Sequence, residues 1–330
     1  MATKQGRPKP LEELRELKKS VGEARLVSDD YADKTYFYLR VGMVAMVLLL
    51  GTSVIVEGFV ANCVRTSVSA YYHSPARSIF VGTMVAMGLC LIAIKGRTVW
   101  EDISLNLAGI ASPVVAFVPT RGDGLDKCGP GNVRVDPVYE VPSDEGLAEQ
   151  IEIAVNETLQ TTIDASINNN LLSAAIVGIA LLLFAVFMAR NDGVGIQREE
   201  AWGLVLAAIA LIGGFGHYLL NKDQFLERAH GMSALLLFTF LIGAIWMHAY
   251  EREQKGDGSP LLRTYKYIAI AMGAAGLLQL VPISFDRKTL WVEAVELLLF
   301  LIYWALQTRD DGSLPEPALA RQAAAARAQK

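Results

Sequence analysis

Residues 171–190 read LLSAAIVGIALLLFAVFMAR. Apart from the closing arginine, no position in this run carries a charge. A bilayer core about 30 Å thick is crossed by roughly 20 mostly apolar residues in a helix, because in lipid every backbone N–H and C=O must be satisfied within the segment. The run therefore predicts a transmembrane helix. Comparable runs lie at 39–59, 76–94, 100–119, 201–220, 231–249, 265–283 and 290–307. The run at 100–119 is the weakest on hydropathy, since it holds Asp102, Asn106 and Pro113. The predicted fold is all-α, a polytopic transmembrane bundle of eight helices.

Composition agrees: 52% of the 330 residues are hydrophobic, 19% are charged, and the mean hydropathy is +0.33. A net charge of -4, with no zinc-finger or P-loop spacing, argues against nucleic acid as a partner. The opening MATKQGRPKPLEELRELKKS is polar and lacks the apolar core of a cleaved signal, so the first apolar helix is expected to act as the targeting signal. With eight crossings, 21 of the 30 Lys and Arg residues fall on the side of the N-terminus, which predicts that both termini are cytoplasmic.

The expected organisation has six parts. Residues 1–38 form a cytoplasmic segment whose Leu11, Leu14, Leu17 and Val21 suit an amphipathic helix over 11–26. Helices 1 to 3 occupy 39–119. An acidic extracytoplasmic loop at 120–170 starts a second amphipathic helix near Ser143-Asp144-Glu145, with Leu147, Ile151, Ala154, Leu159 and Ile163 on its apolar face. A transmembrane hairpin follows at 171–220, helices 6 to 8 at 221–307, and a disordered cytoplasmic tail at 308–330. Asn156-Glu157-Thr158 matches a glycosylation sequon. Cys63 and Cys128 fall on the outer side and Cys90 within helix 2, so a Cys63–Cys128 disulfide is expected, with two unpaired thiols as the alternative.

Ionisable groups inside a membrane helix cost about 2.5 to 3.5 kcal/mol on insertion scales, so each calls for a partner, water or a function. By topology Glu57, Arg77, His217, His230, Glu293 and Glu296 converge on the outer leaflet. Glu293 and Glu296, at i and i+3, share a helix face and call for a cation between them: Arg77, a histidine or a metal. The competing reading is that helix ends collect polar residues at the interface, where Tyr71, Tyr72, Trp291 and Tyr303 would also sit. On the inner side Asp102 and Asn106, near Lys95 and Arg97, suggest a structural salt bridge, and His248 an interfacial position. Gly213-Gly214 and Gly273 with Gly276 suggest close helix packing. Residues 66–82, TSVSAYYHSPARSIFVG, read either as a surface anchor or as part of a binding site.

The run SVSAYYHSPARSIFVG, the helix-3 stretch DISLNLAGIA, and Leu290-Trp291-Val292-Glu293-Ala294 together resemble a family of uncharacterised bacterial multi-pass membrane proteins. That family carries SxSAYYxxxxRxxFVG, LH and FWxEA motifs. Ala229 stands here where the family has Leu before His230. The resemblance covers helices 1 to 3 and 6 to 8, makes 171–220 an inserted hairpin, and implies the bacterial inner membrane. It singles out Ser67, Ser69, Tyr71, Tyr72, Arg77, Asp102, Asn106, His230 and Glu293. A more distant similarity is to alkaline ceramidases and progestin and adipoQ receptors, hydrolases with a Ser/Asp/His zinc site, although their H-x-x-x-H pair is absent here.

Three functions follow. The first is lipid or small-molecule binding or transport, in a polar pocket at the outer leaflet formed by Ser67, Ser69, Tyr71, Tyr72, His73, Arg77, His230, Glu293 and Glu296, with Arg77 on an anionic group. Glu57, Asp102, Asn106 and His217 stand as secondary candidates. The second is a zinc-dependent lipid hydrolase, its metal on His230 and Glu293 with His73 or His217. The third is an accessory subunit that meets membrane lipids and other membrane proteins through the acidic loop or the cytoplasmic helix.

Overall fold

The computed structural model describes residues 10–120, 145–191, 198–282, 285 and 287–310; the side chains of 10–33, 145–160 and 199–200 lie outside the description. The stretch 171–190 is helical, and apart from Leu171 at its start its large side chains are mostly exposed: Leu181, Leu183, Phe184 and Phe187 are each about 60% exposed. A helix apolar on every side with little of it covered has lipid as its solvent. It belongs to α4 (Glu145–Asn191), which starts inside the expected 120–170 loop, so the second amphipathic helix and the transmembrane run are one helix.

The remaining described elements are also helical. They are α1 (Pro10–Val60), a 3-10 turn (Ser69–His73), α2 (Arg77–Ala93), α3 (Val99–Phe117), α5 (Arg198–Ala208), a π segment (Ile209–Gly213), α6 (Gly214–Leu220), α7 (Lys222–Gln254), α8 (Pro260–Leu280) and α9 (Lys288–Asp310). The chain is thus an all-α helical bundle. Helices stand at all eight expected places. Among the described residues, five stretches are long and apolar enough to cross a membrane on their own: Lys34–Val60, Thr161–Asn191, Ala201–Leu220, Lys222–Gln254 and Lys288–Asp310. Arg77–Ala93 is apolar but shorter. The expected separate helix over 11–26 is instead the first part of α1, because no Gly or Pro breaks the helical pattern at the junction.

Helix ends follow local chemistry. Asn62, at φ 49°, closes α1 in a Schellman arrangement, with Cys63 N–H donating to Gly58 O and Asn62 N–H to Phe59 O. Thr98 caps α3 by accepting from Glu101 N–H, and Ser259 with Pro260 starts α8. The chain divides into a unit of Met43–Tyr303 and a second of Met1–Gly42 with Trp304–Lys330. In the second, Thr308 donates back to Trp304 O at 2.6 Å. In the first, α3 is the central element and packs on α2, α7 and α5.

The closest approach joins α2 and α3. A Cβ added at Gly88 would meet Gly109 O at 2.8 Å, and one at Gly109 would meet Gly88 O at 2.7 Å. Pro113, which has no N–H, leaves that Gly109 carbonyl without its helical donor, and Ser112 Oγ donates to Met84 O at 2.7 Å. The expectation for Gly213-Gly214 and Gly273 fails: nothing lies within 4 Å of a Cβ at any of the three. Gly213 closes the π segment and Gly214 follows it. A second apolar cluster, Val118, Ile163, Ile167, Leu171, Tyr218, Leu226 and Ala229, docks α4 and α6 beside the end of α3, with Tyr218 donating to Asn168 at 2.6 Å.

Candidate functional site

The loop between α1 and α2 folds back as the 3-10 turn, whose first N–H groups have no helical acceptor. Glu293 supplies one. Its Oε2 accepts from Val68 N–H at 2.6 Å and Ser69 N–H at 3.3 Å, and its Oε1 accepts from Ser69 Oγ–H at 3.0 Å. The docking is reciprocal, because Leu290 N–H at the start of α9 donates to Thr66 O at 2.9 Å. Ser67 Oγ accepts from Ala70 N–H and lies 3.3 Å from Ser69 Oγ. The cation expected between Glu293 and Glu296 is therefore replaced, at Glu293, by backbone and hydroxyl donors from the turn. Arg77 is elsewhere.

Inside the turn, Tyr71 and Tyr72 are buried rather than lining a mouth. Arg77 donates to Tyr72 Oη at 2.6 Å and to Ser166 Oγ at 3.4 Å, and its guanidinium lies 4.2 Å from the Tyr72 ring centre. Burial pushes the Tyr72 phenol up, with the Arg77 charge and its hydrogen bond acting against it. His73 Nε2 donates to Thr120 O, and the buried Arg65, which sequence reasoning missed, donates to His73 O. No residue pattern flags Arg65.

Beneath the turn is a narrow cavity of about 50 Å³. Ser69, His230 and Glu293 stand at one end; Phe80, Met84, Met87 and Leu91 of α2, Leu237 and Leu241 of α7, and Phe300 of α9 line the rest. From His230 to Leu241 the α7 wall runs eleven residues, about 16 Å at the helical rise of 1.5 Å per residue. The expected polar pocket is thus a mainly apolar cavity, with Ser69, Ser112, His230 and Glu293 as its polar lining residues. His230 Nδ1 donates to Val118 O at 2.7 Å, which fixes the tautomer. Both His230 and Glu293 line the cavity, yet among the described residues no three His, Cys, Asp or Glu gather as a metal group. His217 is exposed and edge-on to Phe225, away from the cavity lining. Glu57 is partly buried on α1 and is not part of the lining. Glu296 faces α8 at Gly276.

At the other end of α3, Asp102 accepts from Gly96 N–H at 3.0 Å and Asn106 Nδ2 at 3.4 Å. The short turn after α2 exposes the Gly96 N–H to it. His248 is fully buried, not interfacial: its Nδ1 lies 3.3 Å from Glu101 Oε1, and the rings of Tyr265 and Tyr303 stand edge-on at 5.3 and 6.1 Å. The sequence signal for Glu101 is the T-x-x-E capping pattern at 98–101. Beyond it, the Ser259 N–H bond and the Arg252 guanidinium hold the Asp257 carboxyl below its usual range.

Cys90 is a free thiol, and Cys128 lies outside the described residues, as do the loop at 121–144 and the tail at 311–330. No family model, no curated protein and no solved structure matches the chain.

Proposed function

We propose that this multi-pass membrane protein binds a single-chain amphiphile of the membrane, its polar head at Ser69, His230 and Glu293 and its tail along α2 and α7. The observation that carries the reading is the cavity: mainly apolar along the α2 and α7 walls, with Ser69, His230 and Glu293 at one end. The turn at 66–73 then serves as the lid over the head, which makes that stretch part of the proposed site. In this reading α2, α3 and α8 complete eight crossings, with both termini in the cytoplasm and the head at the outer leaflet. Zinc-dependent hydrolysis is the weaker reading, because Glu293 already accepts three hydrogen bonds from the turn.

Leu237→Trp fills the channel. Native mass spectrometry of protein extracted from its own membrane is expected to show a retained lipid in wild type and at least about tenfold less in the variant, the equivalent of ~1.4 kcal/mol. The melting temperature, measured alongside, separates a filled site from a damaged core. Equal lipid in both proteins would contradict the reading.

The Cys63–Cys128 bond belongs to the same proposal, since it ties the turn to the outer loop. Alkylation without reductant is expected to modify Cys90 alone. Modification of all three cysteines removes the bond from the account.

A further inference from the structure

Glu296 is 2% exposed, and neither carboxylate oxygen has a hydrogen-bond partner among the described residues. It lies in α9, one turn after Glu293, in a stretch long and apolar enough to span the membrane. Where α8 meets it there is a glycine: a Cβ on Gly276 would stand 3.7 Å from Oε1. We propose that Glu296 is a membrane-embedded proton-binding site, turned toward Gly276 of α8.

The choice of ligand follows from what surrounds the carboxyl. An ionised carboxylate out of water, with neither donors nor a cation, carries a desolvation cost of several kcal/mol. A divalent metal would need several further oxygen or nitrogen ligands. Among the described residues no three His, Cys, Asp or Glu gather here or elsewhere. A proton needs no further ligand. On α8, no titratable side chain occurs from Ile268 to Leu280; Arg263, Tyr265, Lys266 and Tyr267 all precede that stretch. On α9 the titratable neighbours are Glu293, whose oxygens are occupied by the turn, and Tyr303, two turns onward beside His248. The proton therefore has no competing base at the α8–α9 contact. It is released when water or a cation reaches the carboxyl, which gives the site a place in a proton-linked activity of the bundle.

Protonated carboxyls in apolar surroundings react with dicyclohexylcarbodiimide: the acid proton passes to a carbodiimide nitrogen, the carboxyl oxygen adds to the central carbon, and the adduct rearranges to an N-acylurea. The full chain in phosphatidylcholine and phosphatidylglycerol vesicles is treated with this reagent at pH 7 and mapped by peptide mass spectrometry. The expected result is an adduct on Glu296 that is lost as the pH is raised, absent in Glu296→Gln, and not produced by a water-soluble carbodiimide with an added amine. Two results overturn the proposal. One is an unmodified Glu296 while a control membrane protein with a buried acid is labelled in the same vesicles. The other is equal modification of Glu296 by the water-soluble reagent. Both are read on the wild-type protein, so a poorly folding variant does not block the decision.

Discussion

Gly88→Leu is expected to leave no folded protein. At this position a Cβ would meet Gly109 O at 2.8 Å, Pro113 Cδ at 3.1 Å and Ser112 Cβ at 3.2 Å. The first of these is backbone, and the second belongs to a ring that cannot rotate away. Flexible side chains can give by a few tenths of an ångström, but a helix backbone moves only if α2 and α3 separate. That separation would break the Ser112–Met84 bond and open the face of α3 that carries the buried Ala108 and Ala111. Overpacking a well-packed core costs about 1 to 3 kcal/mol where side chains can yield, and more where they cannot. Against a total stability of about 5 to 15 kcal/mol, the expected outcome is aggregation on extraction. Gly82→Leu is the control, since Gly82 is on the same helix with nothing within 4 Å of its Cβ. Size-exclusion profiles of the two variants in mild detergent check the pair: a single peak for Gly82→Leu and none for Gly88→Leu.

Glu293→Ala is expected to cost at least about 3 kcal/mol, since each unsatisfied buried donor costs about 1 to 3 kcal/mol and two backbone N–H groups and a hydroxyl lose their acceptor. Ser69 is 3% exposed, so water reaches it poorly. The loss would fall on one place. Hydrogen exchange of the Val68 and Ser69 amides should quicken by more than tenfold while the amides of mid-α7 stay protected. Glu293→Gln keeps one carbonyl acceptor and should lie between wild type and Ala. Uniform exchange in wild type and Ala would show that the turn is held by other contacts, such as Arg65 on His73 O.

The helices were legible because their physics is local. A run such as 171–190 has the length and uniform apolarity that lipid demands, and no tertiary contact is needed to interpret it. Helix ends were partly legible for the same reason. What resisted reading was direction. Sequence spacing places Glu293 and Glu296 on one helix face, but not what faces each: an empty row of N–H groups at 68–69 for the first, a glycine on α8 for the second. The tyrosines at 71 and 72 look like interfacial anchors in composition, and only the fold of the 3-10 turn buries them. His248 looked interfacial for want of a visible partner. Its partner Glu101 is 147 positions away, and no periodicity links the two. The glycines mislead in the same manner: Gly213-Gly214 is a conspicuous pair, whereas the working pair, Gly88 and Gly109, is split between two helices.

The central claim is that the channel under the 66–73 turn holds an amphiphile. Its most direct test is an experimental density map of the full chain in a bilayer nanodisc prepared from its own membrane lipids. The account predicts continuous density from Ser69, His230 and Glu293 down between α2 and α7 to Leu241. A channel closed by the side chains of Met84, Leu237 and Phe300, with no density inside, would contradict it.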